Sequence, residues 1–205
     1  MSMEELLVRW LLILPWRNAN LRECRIGGPV PNLFKGRIDP FSTIDKPGWV
    51  EEAEEGSLEA EFWQFRFSAE ETKGRREVHC ILPRELIVPL EEFLEHHRAH
   101  LLRGEDPGTL FVNSIGTQMG ARAVEDLVSG VTLRYGGTRV TPRVFRHSIA
   151  FAWLKSHPEE YLMLSKILWH SDPAVTLEVY ATRYNESSGA NAMDEWVQQR
   201  RVLRG

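Results

Sequence analysis

Hydrophobic and polar residues alternate with different periods along the chain, and the changes of period predict helices, then a small sheet, then more helices. Residues 3–14 are apolar on nearly every side, which is typical of a buried helix. Residues 18–25 predict a second short helix that ends before a Gly-Gly-Pro sequence. Residues 39–60 combine Pro, Gly, Ser and Glu without a clear period, so we expect a mobile loop there.

Strict alternation in the middle of the chain predicts a pair of strands. Residues 61–68 place aromatic side chains on one face, and residues 76–82 alternate in the same way. The connection between the two runs is short and polar, with Lys73 near its centre. This arrangement predicts an antiparallel hairpin with Lys73 close to its tip.

A helical period returns after the hairpin. Helices are predicted at residues 89–102 and 119–133, separated by a turn at residues 106–108 and a short strand at residues 110–112. A final helix is predicted at residues 190–203. Three further helices are expected to begin at a first-turn proline, at Pro142, Pro158 and Pro173. The fold class predicted from these elements is α+β, mainly α-helical, with a small antiparallel β-sheet.

Composition is typical of a globular protein of one generous domain. The chain has 205 residues, of which 42% are hydrophobic and 26% charged, with a net charge of -4. The negative net charge counts mildly against nucleic acid as a partner. However, glutamates crowd residues 51–61 while many arginines lie outside that stretch, and such a local basic surface can still bind phosphate. Cys24 and Cys80 suggest no disulfide framework, and the longest apolar run is too short to span a bilayer. The first five residues lack the positive n-region that is typical of a signal peptide. A cytoplasmic protein without a membrane partner is therefore expected.

The most informative segment reads Thr-Pro-Arg-Val-Phe-Arg-His at residues 141–147. Thr141 is a good helix N-cap, and Arg143 and Arg146 then fall on one face of the first turns. Cations at a helix N-terminus oppose its dipole at a cost of about 0.3–1 kcal/mol each. Two arginines there suggest a site for an anion. The alternative is a pair of surface arginines that bind some of the many glutamates, and the segment alone does not decide between the two.

Other residues of the chain complete a set suited to phosphoryl transfer. That reaction needs cations around the phosphate oxygens, an in-line nucleophile and a proton donor for the leaving oxygen. Cations and nucleophiles of these types recur at separate places in the sequence: Arg17, Lys73, Arg143, Arg146, His170, Tyr180 and Tyr184.

Taken in order, these segments resemble the catalytic domain of the tyrosine recombinase (phage integrase) family. The likeness is strongest over residues 14–25 and 139–184. The family's second arginine box typically reads Thr-Pro-His-x-Leu-Arg-His, which residues 141–147 match with two changes. Its third box reads Leu-Gly-His followed by a helix and the tyrosine, as at residues 168–180, and its first box places an arginine after an apolar helix, as at Arg17.

The resemblance implies a role for each residue that fits a box. Arg17 and Arg146 would clamp the scissile phosphate, a task that suits the guanidinium fork. Lys73 would be the general acid toward the 5′-hydroxyl leaving group. Arg143 takes the position that is usually histidine.

The remaining roles concern the nucleophile. The resemblance implies that His170 hydrogen-bonds the phosphate and that Tyr180 attacks it, leaving a 3′-phosphotyrosyl link. A tyrosine hydroxyl has a pKa near 10, so nearby cations must favour the phenolate. Tyr184, one turn later, is the alternative nucleophile. Rejoining would need neither ATP nor a metal ion, and no cofactor is implied.

Three residues depart from the family pattern. Arg143 stays protonated and cannot readily serve as a base. Asn20 stands where a carboxylate usually braces the site, and Trp169 replaces the usual glycine. These departures leave open an alternative function, a catalytically impaired module that binds DNA or other recombinase subunits, while a type IB topoisomerase is a third option with similar chemistry.

The resemblance also predicts the domain organisation and partners. Residues 1–205 would form a single catalytic domain without the helical core-binding domain that normally precedes it, as in a C-terminal fragment or a truncated relative. The expected partners are double-stranded DNA, bound weakly and with steep salt dependence, and other recombinase protomers. The segment 190–205 would pack onto a neighbouring protomer or onto its own domain.

One further cluster of residues could in principle bind zinc. Glu92, His96 and His100 share a helix face, but they do not form the H-E-x-x-H pattern, so a solvated face is expected and no metal site is predicted.

Overall fold

The first helix, α1 (Met3–Ile13), begins with a side-chain N-cap at Ser2. In the computed structural model, which describes residues 2–57, 59–170 and 174, the Ser2 Oγ accepts a 3.2 Å hydrogen bond from the Glu5 amide. Trp10 and its neighbours on one face are fully buried, whereas Leu12 is 56% exposed. The predicted helix is confirmed, but it is buried on one face and not on every side.

In the described residues the helices and strands follow the predicted order, with β1 and α3 added and the strand predicted at residues 110–112 missing. After α1 come α2 (Asn18–Arg22), β1 (Leu33–Gly36), α3 (Gly48–Gly56), β2 (Phe62–Phe67), β3 (Val78–Ile81), α4 (Arg84–Glu92), α5 (Arg98–Leu101), α6 (Ala121–Gly136), α7 (Pro142–Ser156) and α8 (Tyr161–Ile167). The chain divides into two compact units, Met1–Arg146 and the residues from His147 onward.

The three strands form one antiparallel sheet in the order β1-β2-β3. The predicted hairpin is confirmed, since β2 and β3 pair with Arg66 opposite His79. Strand β1 was not predicted. Four residues are too few to show an alternating pattern, and pairing with β2, where Leu33 lies opposite Phe65, makes them a strand.

Helix α3 corrects the prediction of a loop over residues 39–60. Val50 is fully buried beside Trp49 and Phe62, and the rings of the latter two meet edge to face at 5.8 Å. The helical spacing of Trp49, Val50 and Ala53 is hard to see among glutamates, and contact with the sheet is what stabilises it. Helix α3 therefore covers Phe62 on one face of β2, while Phe65 and Phe67 on the other face contact Trp16 of the core.

That core joins α1 to the sheet. The rings of Trp10 and Trp16 meet edge to face at 5.2 Å, and Trp16 in turn contacts Phe65 and Phe67. Phe111 completes the cluster at 6.2 Å from Trp10. Edge-to-face pairs of this kind contribute about 0.5–1.5 kcal/mol each beyond the area that they bury.

The helix predicted at residues 89–102 begins earlier, at Arg84, and contains a π-helical turn at Phe93–His97 between α4 and α5. Pro89 lies inside α4, where it removes one backbone hydrogen bond, and the turn widens shortly after it. Buried Leu90 and Phe93 keep this helix against the core despite the proline.

The predicted strand at residues 110–112 is wrong. The chain there is fully buried but forms only isolated bridges, between Arg25 and Thr109 and between Val112 and Gln118. An apolar run does not by itself distinguish a strand from buried irregular chain. The preceding turn is confirmed, since the Gly108 amide donates to the Asp106 carboxylate at 2.8 Å.

The predicted helices in the C-terminal half are confirmed as far as the structure describes them. Helix α6 ends at Gly137, which has the left-handed φ of 70° typical of a helix C-terminus. A 3₁₀ turn at Pro158–Glu160 leads into α8, and Leu154 and Leu164 belong to one apolar cluster in the second unit. The helices predicted at Pro173 and at residues 190–203 lie outside the described residues.

Candidate active site

Arg17 follows a residue that the core holds in place. Trp16 is 2% exposed and its ring centroid lies 5.0 and 5.2 Å from those of Phe65 and Phe67. Arg17 itself is partly buried and occupies the N-cap position of α2. Because a buried indole restricts the backbone directly before it, Arg17 starts from a well-defined position.

The start of α7 agrees with the prediction. Thr141 Oγ1 accepts a 3.3 Å hydrogen bond from the Val144 amide, and the Thr141 carbonyl accepts one from the Phe145 amide at 3.0 Å. Pro142 is the first helical residue. The two arginines of this helix start differ in environment, because Arg143 is exposed and Arg146 is only 7% exposed.

Arg146 reaches the segment that carries Arg17. Its Nη1 donates a 2.6 Å hydrogen bond to the carbonyl of Pro15, which lies 131 residues earlier in the chain and two residues before Arg17. The first and second arginine boxes are thus in direct contact. A buried guanidinium must have its donors satisfied, and a backbone carbonyl satisfies one of them while leaving the planar fork intact.

Lys73 lies in the hairpin loop (residues 68–77), which joins β2 to β3. Its side chain is exposed, and no residue in the described part of the chain forms an ion pair with it. Thr72 closes the turn around it: the Thr72 hydroxyl donates to the Arg76 carbonyl at 2.6 Å, and the Arg75 amide donates to the Thr72 carbonyl at 3.1 Å. Arg75 has a φ of 52°, a left-handed conformation that this turn imposes.

His170 follows the end of α8 in a Schellman motif. The His170 amide donates to the Ser165 carbonyl at 3.0 Å, and the Trp169 amide donates to the Lys166 carbonyl at 2.9 Å. Trp169 has a φ of 50°, the left-handed conformation that glycine adopts most readily. This explains in physical terms why glycine suits this position, which tryptophan occupies in this chain with a left-handed φ.

Tyr180 and Tyr184 lie outside the described residues, so the choice of nucleophile stays a prediction. His170 belongs to the second unit, whereas Arg17, Lys73, Arg143 and Arg146 belong to the first.

The two cysteines are poor alternative nucleophiles. Burial raises the pKa of the Cys24 thiol far above its usual value, with the adjacent Arg25 opposing the effect only weakly. Burial also raises the pKa of Cys80, to about 11, and Asp45 adds to the effect. Since the thiolate is the reactive form, neither cysteine competes with a tyrosine hydroxyl at neutral pH.

Sequence reasoning missed three residues next to this site. Glu71, in the hairpin loop, accepts hydrogen bonds from Arg25 and Asn32, which belong to the connection between α2 and β1. No motif marks them, because the contact joins segments that are about 40 residues apart and depends on the pairing of β1 with β2. Asn20, the residue that replaces a carboxylate in the resemblance, is 4% exposed on α2.

Among the described residues, no three His, Cys, Asp or Glu side chains are grouped so that they could hold a metal ion, and this includes Glu92, His96 and His100. None of the described helices combines the length and the apolar character that crossing a membrane requires.

Comparison with protein families shows to which family the chain belongs. The model of the phage integrase family matches residues 56–187, well over half of the chain. The chain belongs to the phage integrase family. The matched region contains the predicted site residues from Lys73 to Tyr180, while Arg17 precedes it. No curated protein matches the chain significantly.

Two solved recombinase structures have folds similar to this chain. A post-cleavage complex of XerH site-specific recombinase bound to palindromic difH substrate is 15% identical, with a TM-score of 0.61 over 96% of this chain and 48% of that chain. XerA recombinase is 18% identical, with a TM-score of 0.56 over 87% of this chain and 52% of that chain. The chain spans about half the length of these structures, and the likeness shows the fold.

The predicted fold class is therefore confirmed: this member of the phage integrase family has the mainly helical fold of tyrosine recombinase catalytic domains, with a three-stranded antiparallel sheet.

Proposed function

We propose that this chain cleaves and rejoins DNA strands at specific sites through a 3′-phosphotyrosyl intermediate. The observation that carries the proposal is the 2.6 Å hydrogen bond from Arg146 to the Pro15 carbonyl, since it joins the α7 start to the segment of Arg17. Two guanidinium groups from distant parts of the sequence suit the equatorial oxygens of one phosphodiester. The proposed partners are double-stranded DNA and other recombinase protomers assembled on it.

The proposed step exchanges one phosphoester for another. The Tyr180 oxygen forms a bond to phosphorus as the bond from phosphorus to the 5′ oxygen breaks, and the phenol proton passes to solvent. The Lys73 ammonium gives a proton to the departing 5′ oxygen. Arg17, Arg146 and His170 bind the phosphate oxygens while charge develops on them. The reverse reaction, with a free 5′-hydroxyl as nucleophile, restores the phosphodiester.

The exposed position of Lys73 supports its role as the proton donor. A general acid must approach the leaving oxygen, and a lysine on a hairpin loop can reach a bound duplex as no buried group can. Arg75 and Arg76 of the same loop are also exposed and add positive charge for the phosphate backbone.

A suicide-substrate experiment tests the proposal. The protein is incubated with 5′-labelled duplexes that carry a nick beside a randomised segment, so that cleavage releases a short fragment and religation fails. A labelled protein–DNA adduct on a denaturing gel is the expected result. Tyr180→Phe should abolish the adduct, whereas Tyr135→Phe, the same change at a tyrosine that is 78% exposed on α6, should leave it unchanged.

Peptide mapping identifies the nucleophile independently. Trypsin separates the two candidates, because Arg183 lies between them and places Tyr180 in residues 167–183 and Tyr184 in residues 184–200. After nuclease digestion, the nucleotide mass should be found on the first peptide. Nucleotide mass on the second peptide, or an adduct that survives in Tyr180→Phe, would assign the attack to Tyr184.

A DNA-binding or subunit-interaction module without cleavage is the second candidate. It is favoured by buried Asn20, which carries no charge to brace a cationic site, and by Arg143 in the usual place of histidine. Salt-sensitive DNA binding without any adduct from the randomised duplexes would select this function and reject the first.

A further inference from the structure

The carboxylate of Glu71 is the point where the hairpin loop meets the rest of the fold. Its Oε1 accepts a 2.5 Å hydrogen bond from Arg25 Nη2 and one of 3.3 Å from Asn32 Nδ2, and its Oε2 accepts one of 2.8 Å from the Ser68 amide. Among the described side chains of the hairpin loop, Glu71 is the one that forms hydrogen bonds to residues outside the hairpin. Lys73 lies two residues further along the same loop.

The partners of Glu71 are themselves held firmly. Asn32 is 1% exposed, and its side chain donates to the Glu23 carbonyl at 2.8 Å and accepts from the Arg25 amide at 2.6 Å. Glu23 is the C-cap residue of α2, whose N-cap is Arg17. A continuous set of hydrogen bonds therefore runs from the helix of Arg17 to the loop of Lys73.

The Arg25–Glu71 ion pair is better protected from solvent than the Arg66–Glu77 ion pair on the hairpin. The Arg25 and Glu71 side chains are 34% and 22% exposed, whereas Arg66 and Glu77 on the strands are 58% and 50% exposed. Burial raises the pKa of Glu71, but hydrogen bonds from the Ser68 amide, Arg25 and Asn32 outweigh it and leave that pKa below its usual value. The carboxylate is thus charged at neutral pH, as its ion pair with Arg25 requires.

We propose that Glu71 is a positioning residue, which together with Arg25 and Asn32 sets the place of Lys73 relative to the segment of Arg17. This inference rests on the proposed function, because it takes Lys73 as the general acid. If no contact fixed the hairpin loop to the rest of the fold, the Lys73 ammonium would occupy many positions. A misplacement of about 1 Å can reduce a rate about a hundredfold. Glu71 acts on the leaving-group step alone, through the lysine.

A change of one atom in the substrate isolates that step. A duplex recovered from the adduct-forming pool is made in two forms, with oxygen or sulfur as the bridging 5′ atom at the scissile phosphate. A thiolate is a far better leaving group than an alkoxide and departs without a proton donor. Loss of a correctly placed general acid therefore slows cleavage of the oxygen substrate and spares the sulfur substrate.

Glu71→Gln should slow adduct formation on the oxygen substrate by about 10–100-fold and stay within about threefold of the wild-type rate on the sulfur substrate. Lys73→Ala should show the same pattern with a larger loss. Glu77→Gln is the matched control, since it makes the same chemical change in the exposed pair on the same hairpin, and it should leave both rates within about threefold of wild type.

A second variant distinguishes loss of the ion pair from a folding defect. Arg25→Gln removes the other end of the ion pair and should give the same discrimination between substrates, with a cooperative urea transition in both variants. Equal losses on the two substrates, or no loss with Glu71→Gln, would overturn the inference while cleavage by the wild type stands. The absence of any wild-type adduct on either substrate would overturn the proposed function, and this inference with it.

Discussion

Arg146 and Pro15 lie 131 residues apart in the chain and are joined by a hydrogen bond of 2.6 Å from guanidinium to carbonyl. The donor is 7% exposed and the acceptor directly precedes buried Trp16. The bond therefore connects the start of α7 to the aromatic core, and it places one of the two arginine boxes against the other.

Arg146→Lys should lower the rate of DNA cleavage by about 10²–10³-fold, the usual effect of removing one donor to a developing oxyanion. Lysine keeps the charge but lacks the planar fork, so DNA affinity should change much less than the rate. Single-turnover adduct formation and a binding titration measure the two effects. Arg122→Lys, at a side chain that is 93% exposed on α6, is the control. Equal losses of affinity and rate would show that Arg146 acts in binding alone.

Thr141→Ala should destabilise the protein by about 1 kcal/mol, because the α7 amide of Val144 loses its side-chain acceptor. The free energy of unfolding in urea measures the change. Thr141→Ser retains the oxygen and should stay within about 0.5 kcal/mol of the wild type. Alanine and serine variants of equal stability would mean that the 3.3 Å contact contributes nothing to the helix start.

Trp169→Gly should be more stable than Trp169→Ala by about 1 kcal/mol, although both remove the same ring. The φ of 50° at this position is costly for alanine and almost free for glycine. Comparing the two variants cancels the loss of indole contacts and isolates the backbone effect, which urea denaturation followed by circular dichroism detects. A more stable alanine variant would contradict the left-handed conformation.

Asp106→Asn should destabilise the protein by roughly 1–3 kcal/mol. Arg98, whose side chain is 7% exposed, donates to both Asp106 oxygens, and an amide cannot accept both bonds. The carboxylate is 46% exposed, so the loss falls short of that for a fully buried pair. Asp126→Asn, in a pair that is 93% and 71% exposed, should cost less than about 0.5 kcal/mol.

The Arg98–Asp106 pair makes the stability of the protein depend on pH in a defined direction. Hydrogen bonding from Arg98 lowers the pKa of Asp106 in the folded protein. Its contribution to stability is therefore complete above the unfolded-state pKa and is lost as the pH falls through the lower folded-state value. Urea midpoints measured from neutral pH down into that acid range should converge for wild type and Asp106→Asn. A difference that stayed constant would reject the ion pair as its source.

Local signals in the sequence were sufficient for most elements. The Thr-Pro start of α7, the glycine end of α6 and the alternation of β2 each depend on residues within a few positions of one another. Elements stabilised by distant partners were missed, as with α3, which depends on Phe62, and β1, which depends on β2. Local propensity is weak, and tertiary contacts override it.

The candidate site also combines features that local sequence predicts with features that depend on distant contacts. The sequence by itself determined which residue types are available, in what order, and hence the family, because a box such as residues 141–147 is local and its chemistry can be read from its letters. Only the tertiary structure decided that Arg146 bonds Pro15 and that Glu71 joins Lys73's loop to Arg25 and Asn32. Such contacts join segments that are remote in the chain, and they exist only once burial of the core has paired those segments.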